Sequence, residues 1–216
     1  MFYSFVRGLA AFIIWVVNGR YDIINKEKLP EGNYVLVGPH RTIWDPVYFA
    51  LATWPKRFTF MAKIELFKNP ILGFILRHGN AFPVDRANPG PSVIKIPVNA
   101  LKKTDLSLIM FPSGSRHSNE MKGGALMIAK MAGVPVVPAV YQGPLTLGGL
   151  FKHQKVTIAY GDPIIIDKKL KLNDENIATF GNQLTAAFET IDQQINPDFK
   201  YVDQHPEKTE EFMKAE

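Results

Sequence analysis

Two side chains five positions apart offer the most chemistry in this chain: His40 and Asp45, in the run GPHRTIWDP at residues 38–46. On a regular helix that separation would turn them to different faces. A turn between them removes the obstacle, and Pro46 predicts one, because it disfavours helical torsions at Asp45 and suits the first turn of a helix. Asp45 is therefore expected to be the N-cap of a helix, with His40 in the preceding turn. A carboxylate held against one ring nitrogen leaves the other to accept a proton, which makes the imidazole a general base for an alcohol or thiol. A substrate that brings its own hydroxyl needs no nucleophile from the protein. The same spacing also fits a capping aspartate beside a structural histidine, so the pair alone does not name a reaction.

A second group of residues can hold an anion. In FPSGSRHSNEMKGG, residues 111–124, the small residues Ser113, Gly114 and Ser115 can expose backbone N–H groups. Arg116 can grip a phosphate through its planar fork. Lys122 and the glycines after it open a helix whose N-terminus favours an anion. The run is not a P-loop, since the glycine–lysine–serine or –threonine ending is missing. Asp85 and Arg86, in GNAFPVDRANPG at residues 79–90, and Lys63, after FTFMA at 58–62, are further charged groups at segment ends. A tight turn with a solvated arginine, a surface ion pair and a solvated lysine are the corresponding bland alternatives.

Such groups need a scaffold that carries them to one place. Short β-rich runs are read at residues 33–37, 58–62, 81–84, 106–111, 134–141 and 156–160. Helices are read at 46–54, 65–77 (as two pieces divided at Asn69 and Pro70), 92–103, 123–132 and 174–195. The two types alternate, and the strands are apolar on both faces. That predicts a single α/β domain with a largely parallel sheet covered by helices. Chemistry then gathers in the loops beyond the strand ends, here 38–45, 84–91 and 112–124.

The chain has 216 residues, 46% apolar and 21% charged, which fits one globular domain and excludes a disordered or fibrous chain. Cysteine is absent, so disulfides, thiolate metal sites and a cysteine nucleophile are excluded. The net charge of +5 is uneven: residues 198–216 carry six acids and three lysines, while the rest carries 22 basic and 14 acidic residues. A basic body attracts nucleic acid, anionic headgroups or phosphorylated substrates. No helix-turn-helix, zinc or single-strand-binding signature is present, so no nucleic-acid partner is expected, and no metal is expected either.

Residues 2–17, FYSFVRGLAAFIIWVV, are apolar and aromatic but would span roughly 24 Å as a helix, short of the roughly 30 Å hydrocarbon layer. No secretory signal is expected. The segment is read as a helix lying in a membrane interface, with Arg7 and Arg20 reaching headgroups. A core helix at the domain edge is the alternative. The apolar stretch 66–76, flanked by Lys63, Lys68 and Arg77, is read as a core helix, with membrane contact as its alternative. The expected organisation is an interfacial helix over 1–20, a catalytic domain over 21–197 and an acidic polar tail over 198–216.

Taken in order, His40 and Asp45, then AKIELF at 62–67, GNAFPVDR at 79–86, FPSGSR at 111–116 and VPVVPAV at 134–140, the chain resembles the glycerolipid acyltransferase family, in particular its small bacterial 1-acyl-sn-glycerol-3-phosphate (lysophosphatidate) acyltransferases. The resemblance spans about residues 38–143. It implies that His40 and Asp45 are the catalytic pair. It places Gly79, Phe82, Asp85 and Arg86 in the acceptor region and assigns the glycerophosphate to residues 111–116, including Ser113, Gly114, Ser115 and Arg116. Residues 134–138 would shape the pocket, and Lys63 would contact phosphate. Ser113 stands where the family usually has glutamate, Ser115 where it has threonine, and Pro39 where asparagine is often seen. The implied reaction moves a fatty acyl group from acyl-CoA or acyl carrier protein, as co-substrate, to the free hydroxyl of lysophosphatidate, giving phosphatidic acid in phospholipid biosynthesis. No cofactor is implied. Membrane lipids are implied partners, at the cytoplasmic face of the cell membrane. The alternatives are a different lysophospholipid or lipid precursor as acceptor, or a catalytically inactive membrane lipid-binding protein.

Overall fold

Seven strands alternate with helices along the described part of the chain, which in this computed structural model comprises residues 2–85, 88–112, 123–199 and 201. The strands are β1 (Asp22–Ile24), β2 (Val35–Val37), β3 (Arg57–Lys63), β4 (Ala81–Val84), β5 (Leu106–Met110), β6 (Val136–Gln142) and β7 (Thr157–Tyr160). The helices are α1 (Phe2–Val17), α2 (Asp45–Ala52), α3 (Pro70–His78), α4 (Ser92–Lys103), α5 (Gly124–Ala132), α6 (Leu147–Phe151) and α7 (Asp174–Ile195). The division expected at Asn69 and Pro70 has a clear cause. Asn69 Oδ1 accepts from the backbone of Ile71 and Leu72, both at 3.0 Å, and caps α3. A 3₁₀ turn, Ile64–Lys68, precedes it. α5 stops where Gly133 takes φ +72°, a conformation that glycine adopts without a Cβ clash.

The strands form one sheet in the order β1-β7-β6-β2-β5-β3-β4. From β6 to β4 all neighbours are parallel; β7 runs antiparallel to β6, and β1 is parallel to β7. The sheet is largely parallel, as expected from its apolar strands. β2 lies at its centre, with Val35 opposite Leu108 of β5 on one side and Val136 of β6 on the other. Its neighbours β5 and β6 come much later in the chain. The C-terminal end of β2 therefore sits where the strand order reverses, the usual place for a ligand crevice in an open α/β sheet. β1 and α6 were not expected: three residues of strand and five of helix carry too little period to detect.

Strand alternation divides the core in two. Val35 and Val37 pack with Leu101 of α4, Leu126 and Ile128 of α5 and Leu184 of α7. Leu36 faces the other way, with Ile109, Val137, Tyr141, Ile158 and Tyr160, against Tyr48 and Phe49 of α2 and Leu150 of α6. Ile14 and Val17 of α1 pack on this second cluster.

Two expectations about the apolar segments are corrected. Arg7 does not extend outward from α1; its guanidinium lies 3.5 Å from the ring centroid of Trp54, a cation–π contact that turns it toward the protein. The stretch 66–76 is not a core helix. Phe67 and Gly73 are buried, but Leu66, Ile71, Leu72, Phe74 and Ile75 are exposed, Ile71 at 74%. α3 packs over the 3₁₀ turn at the edge of the sheet and against α1, and among the described residues most of its apolar side chains stay exposed. Among the described residues no helix is long and apolar enough to cross a membrane.

Candidate active site

The candidate base sits three residues beyond β2. Gly38 makes that exit possible: a Cβ there would stand 2.7 Å from the Ala139 carbonyl oxygen and 2.8 Å from the Phe49 ring. The chain leaves the sheet between β6 and α2, where a larger residue would collide with both.

The turn then closes on Asp45. Its carboxylate is wholly buried, which is costly for a charge unless partners meet it. Oδ2 accepts from the backbone N–H of Arg41 at 2.7 Å and of Thr42 at 2.8 Å, and it lies 3.2 Å from His40 Nδ1. The Thr42 hydroxyl donates to Oδ1. Asp45 also occupies the first helical position of α2, where the helix dipole favours negative charge. It is thus not the N-cap expected from the sequence. Trp44 takes that place, and the carboxylate turns back to donors in the loop instead of onto the helix's own N–H groups. Pro46 still serves the start of α2, one position further in.

A carboxylate met by four donors acts as acceptor, so the His40 hydrogen belongs on Nδ1 and the lone pair on Nε2. The ring is further fixed by stacking on Phe111, with centroids 4.0 Å apart and planes 20° apart. Phe111 leaves the end of β5, next to β2 in the sheet, and stacks in turn on Phe49 at 6.3 Å. Nearby phenols do not compete for the role of base. Burial pushes the Tyr141 hydroxyl well above its usual range, although the hydrogen bond from Trp44 Nε1 at 3.0 Å works the other way. Burial likewise raises Tyr48, to about 12. Both are neutral at physiological pH and act as hydrogen-bonding struts.

The other expected site residues divide into two sets. Lys63 ends β3 and is half exposed, 3.6 Å from Glu65. No described contact joins it to His40 or Asp45, and a pair this open contributes roughly 0–1 kcal/mol, leaving the lysine easy to recruit. Arg86, Ser113, Gly114, Ser115, Arg116 and Lys122 lie outside the described residues. The chain positions on either side of them are fixed, however. Val84 ends β4, Pro112 follows β5, and Gly123 precedes α5, all at the same end of the parallel strands as His40. Sequence reading missed Arg41, whose guanidinium donates to Asp192 of α7 and to the Tyr141 carbonyl. With the partners 151 positions apart, no local pattern could have paired them. It also missed Thr42, although a hydroxyl three positions before an aspartate was a detectable signal. A cleft of about 530 Å³ is lined by Ile24, Gln142, Asn196 and Phe199 among others; of the expected site residues that are described, His40, Asp45 and Lys63, none lines it.

Comparison with known proteins accords with this geometry. Residues 20–142 match the family model described as Acyltransferase. A 1-acyl-sn-glycerol-3-phosphate acyltransferase of Streptococcus pneumoniae is 53% identical over 196 residues, covering 90% of this chain and 74% of that protein. The chain belongs to the acyltransferase family. A second 1-acyl-sn-glycerol-3-phosphate acyltransferase, from Bacillus subtilis, is 41% identical over 155 residues, 70% of this chain and 77% of that one. The crystal structure of the 1-acyl-sn-glycerophosphate acyltransferase PlsC of Thermotoga maritima superposes with a TM-score of 0.65 at 22% identity. It covers 92% of this chain and 81% of its own. At that identity the likeness speaks for the α/β fold. In this acyltransferase the matched region holds every described residue of the His40 turn, and α7 with Asp192 lies beyond it.

Proposed function

We propose that this acyltransferase moves a fatty acyl group from a thioester, acyl-CoA or acyl carrier protein, to the free hydroxyl of 1-acyl-sn-glycerol-3-phosphate, giving phosphatidic acid for phospholipid synthesis. The observation that carries the reading is the contact of His40 Nδ1 with a wholly buried Asp45 carboxylate, which leaves Nε2 as the proton acceptor. His40 Nε2 takes the hydroxyl proton as the acceptor oxygen attacks the thioester carbonyl. Asp45 stabilises the imidazolium that forms, as the aspartate of a serine-protease triad does. The carbon–sulfur bond then breaks, and the leaving thiolate recovers the proton from His40. The acceptor itself is supported by the names of the two bacterial relatives. Its phosphate is assigned to Arg116, with Lys63, Arg86, Lys122 and the backbone at Ser113, Gly114 and Ser115. Holding the phosphate there sets the hydroxyl near His40 and supplies the proximity advantage.

The reading extends to the membrane, where both acceptor and product reside. α1 exposes Phe5, Leu9, Phe12, Ile13, Trp15 and Val16, with Trp15 60% exposed, and it packs against α3 with its exposed Ile71, Leu72, Phe74 and Ile75. An apolar surface this large and contiguous is unusual on a monomer facing only water. Lying in the interface at the cytoplasmic face, it would keep the His40 crevice near anionic lipid.

One assay tests the chemistry: a panel of lysolipid acceptors against acyl-CoA and acyl carrier protein donors, with His40→Ala alongside. Lysophosphatidate is expected as the preferred acceptor, and His40→Ala is expected to lower turnover by about 10⁴-fold, the upper end for a positioned acid–base group. Preference for an acceptor without phosphate, or an active His40→Ala, overturns the reading. Deleting residues 1–17 is expected to release the protein from anionic vesicles; unchanged sedimentation would assign α1 to the protein alone.

A further inference from the structure

Immediately after the proposed base comes an arginine whose charge the acyl transfer does not use. We propose that Arg41 and Asp192 form a positioning pair, whose ion pair fixes the main chain of the His40 turn and thereby the aim of the Asp45 carboxylate. This rests on the reading of His40 as the base.

Arg41 faces two ways. Its backbone N–H donates to Asp45 Oδ2 at 2.7 Å, the shortest of the backbone bonds to that carboxylate. Its side chain leaves the turn in the opposite direction. There Nη1 donates to Asp192 Oδ1 and to the Tyr141 carbonyl, each at 2.9 Å, and Nη2 donates to Asp192 Oδ2. This is the two-pronged pairing in which a guanidinium matches a carboxylate in geometry as well as charge. Asp192 is itself held by Gln142 of β6, whose Nε2 donates to its carboxylate at 2.7 Å and its carbonyl at 2.9 Å. The Phe199 ring lies 4.9 Å from the guanidinium carbon and the Tyr201 ring 5.7 Å. The Arg41 side chain is only 7% exposed. A guanidinium enclosed in this way cannot also serve as an open fork for the acceptor's phosphate.

One residue therefore ties the carboxylate to two distant elements, β6 and α7. The His40–Asp45 contact, at 3.2 Å, sits at the long end of a hydrogen bond, so a small shift of the backbone at residue 41 is enough to lose it. Misplacing a reacting group by about 1 Å can cost on the order of 10²-fold in rate. Removing Asp192 would also leave the guanidinium without its counter-charge in a nearly closed site, which gives the turn a reason to move.

The test compares Asp192→Asn, Arg41→Ala, Arg41→Lys and His40→Ala in the full chain, assayed with lysophosphatidate and acyl-CoA in mixed micelles. Thermal melts set the folded fraction. Asp192→Asn keeps the side-chain shape and serves if Arg41→Ala folds poorly. The expected result is a fall in kcat per folded molecule of about 10²-fold in Asp192→Asn and Arg41→Ala. KM for lysophosphatidate should move by less than about threefold, and Arg41→Lys should recover about tenfold of the loss. ¹⁵N spectra of the His40 imidazole should show an Nδ1–H tautomer in the parent that is mixed in Asp192→Asn. A folded Asp192→Asn with parental kcat, or an unchanged His40 tautomer, overturns the proposal. So does an Arg41→Ala that raises KM at constant kcat, since it would make Arg41 a phosphate contact. A fully active His40→Ala would overturn the assignment of the base itself, separately from the pair.

Discussion

The two faces of the sheet are built differently. Toward α4, α5 and α7 the core is mostly aliphatic: Val35, Val37, Leu108, Leu126, Ile128 and Leu184 meet there with Phe180 and Phe188, and none of these side chains carries a polar atom. Toward α1, α2 and α6 it is aromatic and hydrogen-bonded. Tyr48 donates to Asn18 at 3.0 Å, and Asn18 in turn donates to the carbonyl oxygens of Leu150 and Gln154. Trp44 donates to the Tyr141 hydroxyl, which donates to the Pro144 carbonyl. The aliphatic face is held by burial, which is strong but non-directional. The aromatic face fixes directions as well, and it is on this face that the His40 ring stacks on Phe111. Chemistry that depends on a ring nitrogen facing one oxygen is placed where neighbouring contacts are directional.

If that contrast holds, changes to core side chains on the two faces separate turnover from stability, with Asp192 of α7 the polar exception that reaches the His40 turn. Asp45→Asn should have the largest effect, lowering turnover by about 10³-fold, because an amide oxygen in the place of Oδ2 can keep the bonds from Arg41, Thr42 and His40 but brings no negative charge to stabilise the imidazolium. The cost in stability should be far smaller in proportion, and a loss of turnover explained wholly by unfolding would break the contrast. Leu184→Ala on the aliphatic face should cost about 3 kcal/mol in urea unfolding, through lost burial and the cavity left behind. Its turnover per folded molecule should match the parent as long as Asp192 keeps its bonds to Arg41, and a specific loss would show that packing of α7 at Leu184 also sets that ion pair. Tyr48→Phe should have the smallest effect, about 1 kcal/mol, from the unpaired Asn18 oxygen.

Tyr48 also carries a pH signature. Burial, with a smaller contribution from Tyr21, raises its hydroxyl from 10.0 to about 12. Burial raises Tyr34, Tyr141 and Tyr160 as well. The folded state thus holds these protons more tightly than the unfolded chain. The Tyr48 contribution is complete below about pH 10 and is lost as pH rises through about 12; for the other three the loss lies higher still. Urea midpoints measured at pH 9 and pH 11 should diverge less in Tyr48→Phe than in the parent. Equal slopes would mean that Tyr48 does not take part in the alkaline loss.

Local patterns in the sequence carried much of the fold. α1, α3, α4, α5 and α7 each lie within a residue or so of their expected bounds, and three of them have their own start or stop: Asn69 before α3, Gly133 after α5, Asn173 before α7. β7 was legible as a strand but not as the one that reverses direction, since pairing sense depends on a partner elsewhere in the chain. The exposure of α3 was misread for a related reason. An apolar stripe states that a surface avoids water, and only the packing partner decides whether protein covers it. The proximity of His40 to Asp45 was legible because five residues and a proline confine the turn. Asp45's position inside the helix was not, because it follows from where the buried turn finds its donors.

The sequence by itself determined the alternating α/β plan, the pair His40 and Asp45, and a chain whose charged loops fall at strand ends. It did so because helix caps, strand alternation and proline act over a few residues. Only the tertiary structure decided that Arg41 faces Asp192, that Phe111 forms the bed for His40, and that among the described residues the apolar side of α3 is exposed. Each of these joins side chains from separate elements, and their meeting depends on the strand order of the whole sheet.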